Sequence, residues 1–258
     1  MTDLWLKVYA FIFGLCFGSF LNVCIYRLPL EQSVVRPPSS CPNCNTRIRW
    51  YDNIPIISYL MLKGRCRGCQ ARISIRYPMV ELLTGLAALA VALRFGPTLS
   101  SLVYFFFIAA LLTITFIDID HRIIPDSISI PGIPIGFAAS FFLPDLTWTA
   151  SAFGILLGGG LLLGIAWGYR LITGKDGMGG GDIKLLAMIG AFLGWQGVLF
   201  TIMCASFIGT VIGLALMIRA GKGMKLAIPF GPFLASGAIF YLFFGPAVIN
   251  WYLHDFLR

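Results

Sequence analysis

Charge is what this chain has least of. Asp, Glu, Lys and Arg make up 12% of its 258 residues, about half the share found in a soluble domain. The one sizeable polar segment is residues 27–77. A water-soluble globule is excluded on that ground. Missing as well is the G-x-x-x-x-G-K-[ST] pattern of a phosphate-binding loop. In Gly174-Lys175-Asp176-Gly177-Met178-Gly179 the glycine-rich run follows the lysine, and only Gly174 directly precedes it, which sets nucleotide binding aside. No basic helix or aromatic stacking pattern accompanies the positive charge, so nucleic acid is not an expected partner. The start, Met1-Thr2-Asp3-Leu4-Trp5, has no positive n-region, and the apolar run behind it is too long for a signal peptide. That run is expected to stay as a membrane span.

Hydrophobic residues, by contrast, make up 58% of the chain, and its mean hydropathy is +0.86. Apolar stretches recur at roughly 5–26, 78–95, 99–118, 127–143, 149–171, 183–195, 197–218 and 231–252. A stretch of about 20 residues crosses a hydrocarbon core about 30 Å thick. The expected fold is therefore an all-α polytopic membrane protein with about eight transmembrane helices and a small cytoplasmic loop domain stapled by zinc. The sixth stretch is short and separated from the seventh only by Gly194-Trp195-Gln196-Gly197. It is either a thin full span or a helix that stops part-way.

With eight spans the loops alternate sides. Residues 27–77 carry nine Lys and Arg; Arg122, Arg170, Lys175, Lys184, Arg219, Lys222 and Lys225 fall on the same side. Only Lys7, Arg94 and Arg258 fall on the other. Cytoplasmic loops hold the Lys and Arg excess, which predicts extracytoplasmic termini. The net charge of +8 is then mostly a topology signal, and the basic rim suits anionic lipid headgroups as partners.

Within the polar segment lie Cys41-Pro42-Asn43-Cys44 and Cys66-Arg67-Gly68-Cys69. Two C-x-x-C knuckles at this spacing supply four thiolates that can close tetrahedrally around zinc. A reducing cytoplasm argues against two disulfides; a redox dithiol is the other reading. Four protein ligands leave no open position, so the zinc would be structural. It would stabilise a segment too short for a large core of its own.

Other polar residues sit at the edges of apolar runs. Gly18, Ser19 and Asn22 share one helix face, which serves helix contact or, with Arg27, a polar ligand at the membrane surface. Glu81 lies near the start of the second span, where it either caps a helix electrostatically or acts as a functional intramembrane acid. Asp126, after Pro125, reads as the N-cap of the fourth span. Glycines 154, 158, 159, 160 and 164 of the fifth span suit close helix approach. Ile228-Pro229-Phe230-Gly231-Pro232-Phe233 opens the last span, as ordinary helix initiation or as the lining of a peptide groove.

Two carboxylates stand out. Asp118 closes one apolar run, in Phe116-Ile117-Asp118-Ile119-Asp120-His121, and Asp182 opens another, after Gly179-Gly180-Gly181 and before Lys184. Alternating spans bring both to the same membrane face, one at a helix C-terminus and one at a helix N-terminus. A lone carboxylate there is costly, whereas two sharing a water form an acid–base pair. The glycines let another backbone pass close by.

With these residues in view, the chain resembles the bacterial type IV prepilin peptidases, G-x-G-D membrane aspartic proteases. The motifs that carry the resemblance are Gly18–Pro29, the two C-x-x-C pairs, Asp118–Asp126 and Gly179–Lys184, in the family's order over essentially the whole chain. The resemblance implies that Asp118 and Asp182 are catalytic. It implies cleavage of the basic leader of prepilins and type II secretion pseudopilins at the cytoplasmic face of the bacterial inner membrane. It further implies N-methylation of the new terminus from S-adenosylmethionine, with residues 1–98 as the methyltransferase-type region and 99–258 as the peptidase region. No Rossmann-type G-x-G-x-x-G is present to hold that donor, so Asn22, Arg27 and Glu81 are the candidates for it. The competing readings are a proton-coupled transporter using Asp118, Glu81 and Asp182 as relay sites, and a zinc-stapled scaffold without catalysis.

Overall fold

The structure is a computed structural model that describes residues 2–174, 179–220 and 228–252. Lys175, Lys222, Lys225 and Arg258, four of the charges used above for orientation, lie outside the described residues. Two compact units divide the chain at Thr113/Ile114, inside a continuous helix.

The first unit holds α1 (Thr2–Arg27), α2 (Ile57–Met61), α3 (Arg76–Phe95) and the first part of α4 (Leu99–His121). α1 and α3 touch almost backbone to backbone. A Cβ on Gly14 would lie 2.6 Å from that of Ala88, and one on Gly18 would lie 2.7 Å from the Cα of Glu81. In lipid, where apolar surface gains nothing from leaving water, such small-residue contacts supply the packing. Phe13 and Phe17 complete it against Phe105, each with ring centroids 5.4 Å away.

Between α1 and α3 the chain makes two short hairpins with the same backbone plan. In the first, Ser40 bridges Arg47, Cys41 N–H donates to Thr46 O, and Asn45 takes a left-handed φ of 55°. In the second, Arg65 bridges Arg72, Cys66 N–H donates to Ala71 O, and Gln70 has φ 59°. The sequences repeat accordingly, as Cys41-Pro-Asn-Cys-Asn-Thr-Arg-Ile48 and Cys66-Arg-Gly-Cys-Gln-Ala-Arg-Ile73. Arg67 crosses from the second hairpin to pair with Asp52 at 2.7 Å and lies over the Tyr51 ring.

The second unit holds the end of α4, α5 (Asp126–Ala139), α6 (Trp148–Thr173), α7 (Gly180–Ala220) and α8 (Gly231–Trp251). α4 contains neither Gly nor Pro from Leu99 to His121. It ends where Arg122 adopts φ 55° and Pro125 follows. α5 begins at Asp126 with Pro125 as its N-cap, so the expectation that Asp126 caps this helix is corrected. Its carboxylate instead meets Lys184 Nζ, at 2.8 and 2.7 Å. α5 tolerates Pro131 and Pro134 inside it. It is shorter than the stretch 127–143 suggests.

α7 has 41 residues and, if straight, would be about 60 Å long, twice the hydrocarbon thickness. Gly194 breaks it, with φ 71° and ψ −179°, a backbone region open essentially to glycine alone. The arm before the break packs against α6: a Cβ on Gly190 would lie 2.1 Å from Gly154 O, and one on Gly158 would lie 2.4 Å from Leu186 O. The arm after it runs back along α8, as Gly197 meets Tyr241, Gly209 meets Phe233 and Gly213 meets Ile228. The chain therefore doubles back at Gly194, as the short separation at 194–197 suggests. Of the α6 glycines, 154 and 158 carry the close approach, and a Cβ on 160 or 164 would meet nothing within 4 Å.

Six described helices are long and apolar enough to cross a membrane: α1, α3, α4, α6, α7 and α8. With α7 folded on itself and α5 beside it, all eight expected apolar segments are present as helix.

Candidate active site and metal centre

The four cysteine Sγ atoms of Cys41, Cys44, Cys66 and Cys69 lie within 4.8 Å of one another. Cys41 and Cys69 are 3.8 Å apart, and Cys44 and Cys66 are 3.9 Å apart. A disulfide would need about 2.05 Å. A tetrahedral zinc with bonds of about 2.3 Å separates its sulfurs by about 3.8 Å, so the donor set fits that ion. Hydrogen bonds to the Thr46 side chain and backbone hold the Cys44 thiol down at about 6. The backbone at Cys69 and Gly68 lowers Cys66. Cys69 goes the other way, to about 11, because desolvation and the neighbouring sulfurs outweigh its backbone bond to Ala71. Four thiolates this close repel one another, and a cation relieves that repulsion. A group of four cysteines that can hold a metal ion is thus formed by the two repeated hairpins, two ligands from each.

Elsewhere in the first unit, Asn22 and Glu81 are buried. Asn22 Nδ2 donates to Tyr77 O at 3.1 Å. Glu81 Oε2 accepts from Ile56 N–H at 2.8 Å, and Ser19 also hydrogen-bonds this carboxylate. Glu81 lies past the first turn of α3, so helix capping is not its role. Ile56 has φ 59° and ψ −49°, a positive-φ conformation that a β-branched residue adopts only when surrounding contacts impose it. Arg27 spreads its guanidinium between Ser33 O and Pro37 O, at 2.9 and 2.7 Å. Arg27 and Glu81 tie the polar loop to α1 and α3, and Asn22 ties α1 to the first turn of α3.

In the second unit, Asp118 is only 5% exposed, one turn from the end of α4. Its Oδ2 accepts the backbone N–H of Gly231 at 2.9 Å, the first residue of α8. Asp120 and His121 are exposed. Asp182 is half-buried in the first turn of α7, near enough to Asp118 for the two charges to interact. Sequence reasoning set the pair at opposite kinds of helix end, and the structure agrees: Asp118 is in the last turn of α4 and Asp182 in the first turn of α7. The structure adds that Asp118 also faces the N-terminus of α8. The three glycines before Asp182 differ in their surroundings. A Cβ on Gly179 would lie 3.7 Å from Asp182 Oδ2, one on Gly180 would face open space, and one on Gly181 would lie 2.8 Å from Ile124 Cβ. Lys184 is held by Asp126. Sequence reasoning missed Gly231 as a partner of Asp118. Its only signal was a glycine between two prolines at a helix start.

These features define a polytopic membrane protein with a paired-carboxylate site and a four-cysteine centre. Residues 12–95 match the bacterial peptidase A24 N-terminal domain, and residues 105–214 match the type IV leader peptidase family. The prepilin leader peptidase/N-methyltransferase of Aeromonas hydrophila is 38% identical over 96% of this chain and 94% of its own length. The protein of that name from Pseudomonas aeruginosa is 37% identical, covering 94% and 91%, and that from Myxococcus xanthus is 41% identical, covering 83% and 64%. The chain belongs to the type IV leader peptidase family. No solved structure matches it. The transporter reading finds no support among these relatives.

Proposed function

We propose that this protein is an aspartic endopeptidase that removes the basic leader of type IV prepilins and type II secretion pseudopilins, and that it then methylates the new N-terminus. What supports the peptidase reading is that Asp118 and Asp182, far apart in sequence, lie near enough for their charges to interact, Asp118 against the start of α8 and Asp182 at the start of α7. One ionised carboxylate takes a proton from water while the protonated partner polarises the scissile carbonyl. Two acids that share a site titrate as a unit, which keeps one proton between them. Gly179 and Gly180 leave room beside Asp182 for a substrate backbone, and Lys184 fixes the start of α7 through Asp126. The peptidase region is taken as residues 99–258 and the methyltransferase-type region as 1–98.

Zinc at Cys41, Cys44, Cys66 and Cys69 would be structural, since four protein ligands leave no position for substrate. S-adenosylmethionine is the methyl donor in this reading. Asn22, Arg27 and Glu81 are the residues proposed to bind it or the substrate. The excess of Lys and Arg in loops on one side supports a cytoplasmic active site with both termini extracytoplasmic, in the bacterial inner membrane, with anionic headgroups against the basic rim.

Incubating purified protein with a prepilin and S-adenosylmethionine, then weighing the products, tests both activities. The leader should be lost and one methyl group gained. Asp118→Asn and Asp182→Asn should each abolish cleavage while keeping the wild-type melting temperature and metal content. Full cleavage by either variant would sink the paired-carboxylate mechanism.

A further inference from the structure

We infer that Gly231 is a positioning residue for the peptidase site: its backbone N–H fixes one oxygen of Asp118, and its missing side chain leaves that oxygen room. The inference rests on Asp118 being one of the reacting acids. The bond is 2.9 Å long and its acceptor is buried. Asp118 Oδ2 is tied to α8, which leaves Oδ1 the oxygen without that anchor to meet a water or a substrate carbonyl. A carboxylate held at one oxygen keeps its plane, and a near-attack geometry depends on that.

What makes Gly231 specific is the space rather than the backbone. It is not among the glycines with positive φ, and it occupies an ordinary first helical position before Pro232. Yet a Cβ there would sit 2.7 Å from Asp118 Oδ2 and 3.3 Å from its Cγ. Either the carboxylate or the start of α8 would have to move. Glycine is therefore required by its neighbour, which lies 113 residues earlier in the chain. The donor N–H also heads a helix, where aligned peptide dipoles strengthen its hold on a negatively charged oxygen. Three helices thus build the site: α4 and α7 bring the acids, and α8 brings the anchor.

The test is Gly231→Ala in the full-length protein, assayed for prepilin cleavage. The expected result is a kcat lowered about 100-fold, the loss that a misplacement of about 1 Å brings, with KM unchanged. Gly160→Ala, where the new Cβ meets nothing within 4 Å, should cleave like wild type. A second measurement reads the contact without activity: Gly231→Ala should lower the melting temperature, and that loss should shrink in an Asp118→Ala background, where the opposing oxygen is gone. If Gly231→Ala fails to fold, the double variant should recover folding. Wild-type kcat for Gly231→Ala while Asp118→Asn is dead would overturn the positioning role and leave the acid pair standing. An equal melting loss in both backgrounds, or no recovery of folding, would also overturn it. Cleavage by Asp118→Asn would remove the acid pair itself, and the anchor with it.

Discussion

Gly190→Ala should loosen the second unit and slow catalysis at a distance. The added Cβ would fall 2.1 Å from Gly154 O and 2.3 Å from Gly154 C, where ordinary contact begins at 3.4 Å. Relieving the overlap means moving α6 and α7 apart by about 1 Å, and over-packing of this kind costs about 1–3 kcal/mol. At roughly 2–4 °C per kcal/mol for a chain of this size, the melting temperature should fall by roughly 2–12 °C. Asp182 lies eight residues away on the same arm of α7, about 12 Å along the helix, so a shifted arm carries the carboxylate with it. A displacement of that order should lower kcat about 100-fold. Differential scanning fluorimetry in detergent and a prepilin cleavage assay read the two effects. Gly160→Ala on α6 should go the other way, because replacing an open helical glycine favours the helix by up to about 1 kcal/mol. If Gly190→Ala melts and cleaves like wild type, the α6–α7 contact is not what positions Asp182.

Removing metal with a chelator, or introducing Cys44→Ser, should open residues 28–75 to trypsin at Arg47, Arg65, Arg67 and Arg72 while α1 and α3 stay intact. Elemental analysis should find one zinc per wild-type chain, and unchanged trypsin resistance in metal-free protein would refute the structural role. Gly180→Val should keep the melting temperature but raise KM for prepilin, since its side chain enters open space beside Asp182. Gly181→Val should instead lower the melting temperature against Ile124, and equal behaviour of the two variants would contradict the contacts around this run.

Much of this was legible from residue type alone. Four cysteines in two knuckles announce their centre because only a few side chains ligate metal, and the helical segments follow from apolar length. The return of α7 was visible as Gly194 and Gly197 beside Trp195 and Gln196. What escaped were partners that donate from the backbone. Ile56 and Gly231 offer an N–H that every residue but proline possesses, so nothing in the sequence marks them as the partners of Glu81 and Asp118. Asp126 was misjudged for a related reason: a carboxylate after Pro125 looks like a cap until Lys184, 58 residues on, is seen to hold it. The fifth-span glycines look alike in sequence, yet the neighbouring backbone separates 154 and 158 from 160 and 164.

α5 and the first arm of α7 lie side by side, Gly132 against Met188 and Gly136 against Phe192. Each has 14 residues, which is about 21 Å of helix in a hydrocarbon layer about 30 Å deep. A span shorter than the hydrocarbon layer is met by local thinning of the bilayer, by snorkelling of flanking side chains or by oligomerisation, and thinning here would bring headgroups and solvent toward the ends of the pair. Asp182 stands at the beginning of one of these helices and Lys184–Asp126 bridges the beginnings of both. Hydrolysis consumes a water molecule at every turnover, and a thinned patch of membrane would supply it without a tunnel through the protein.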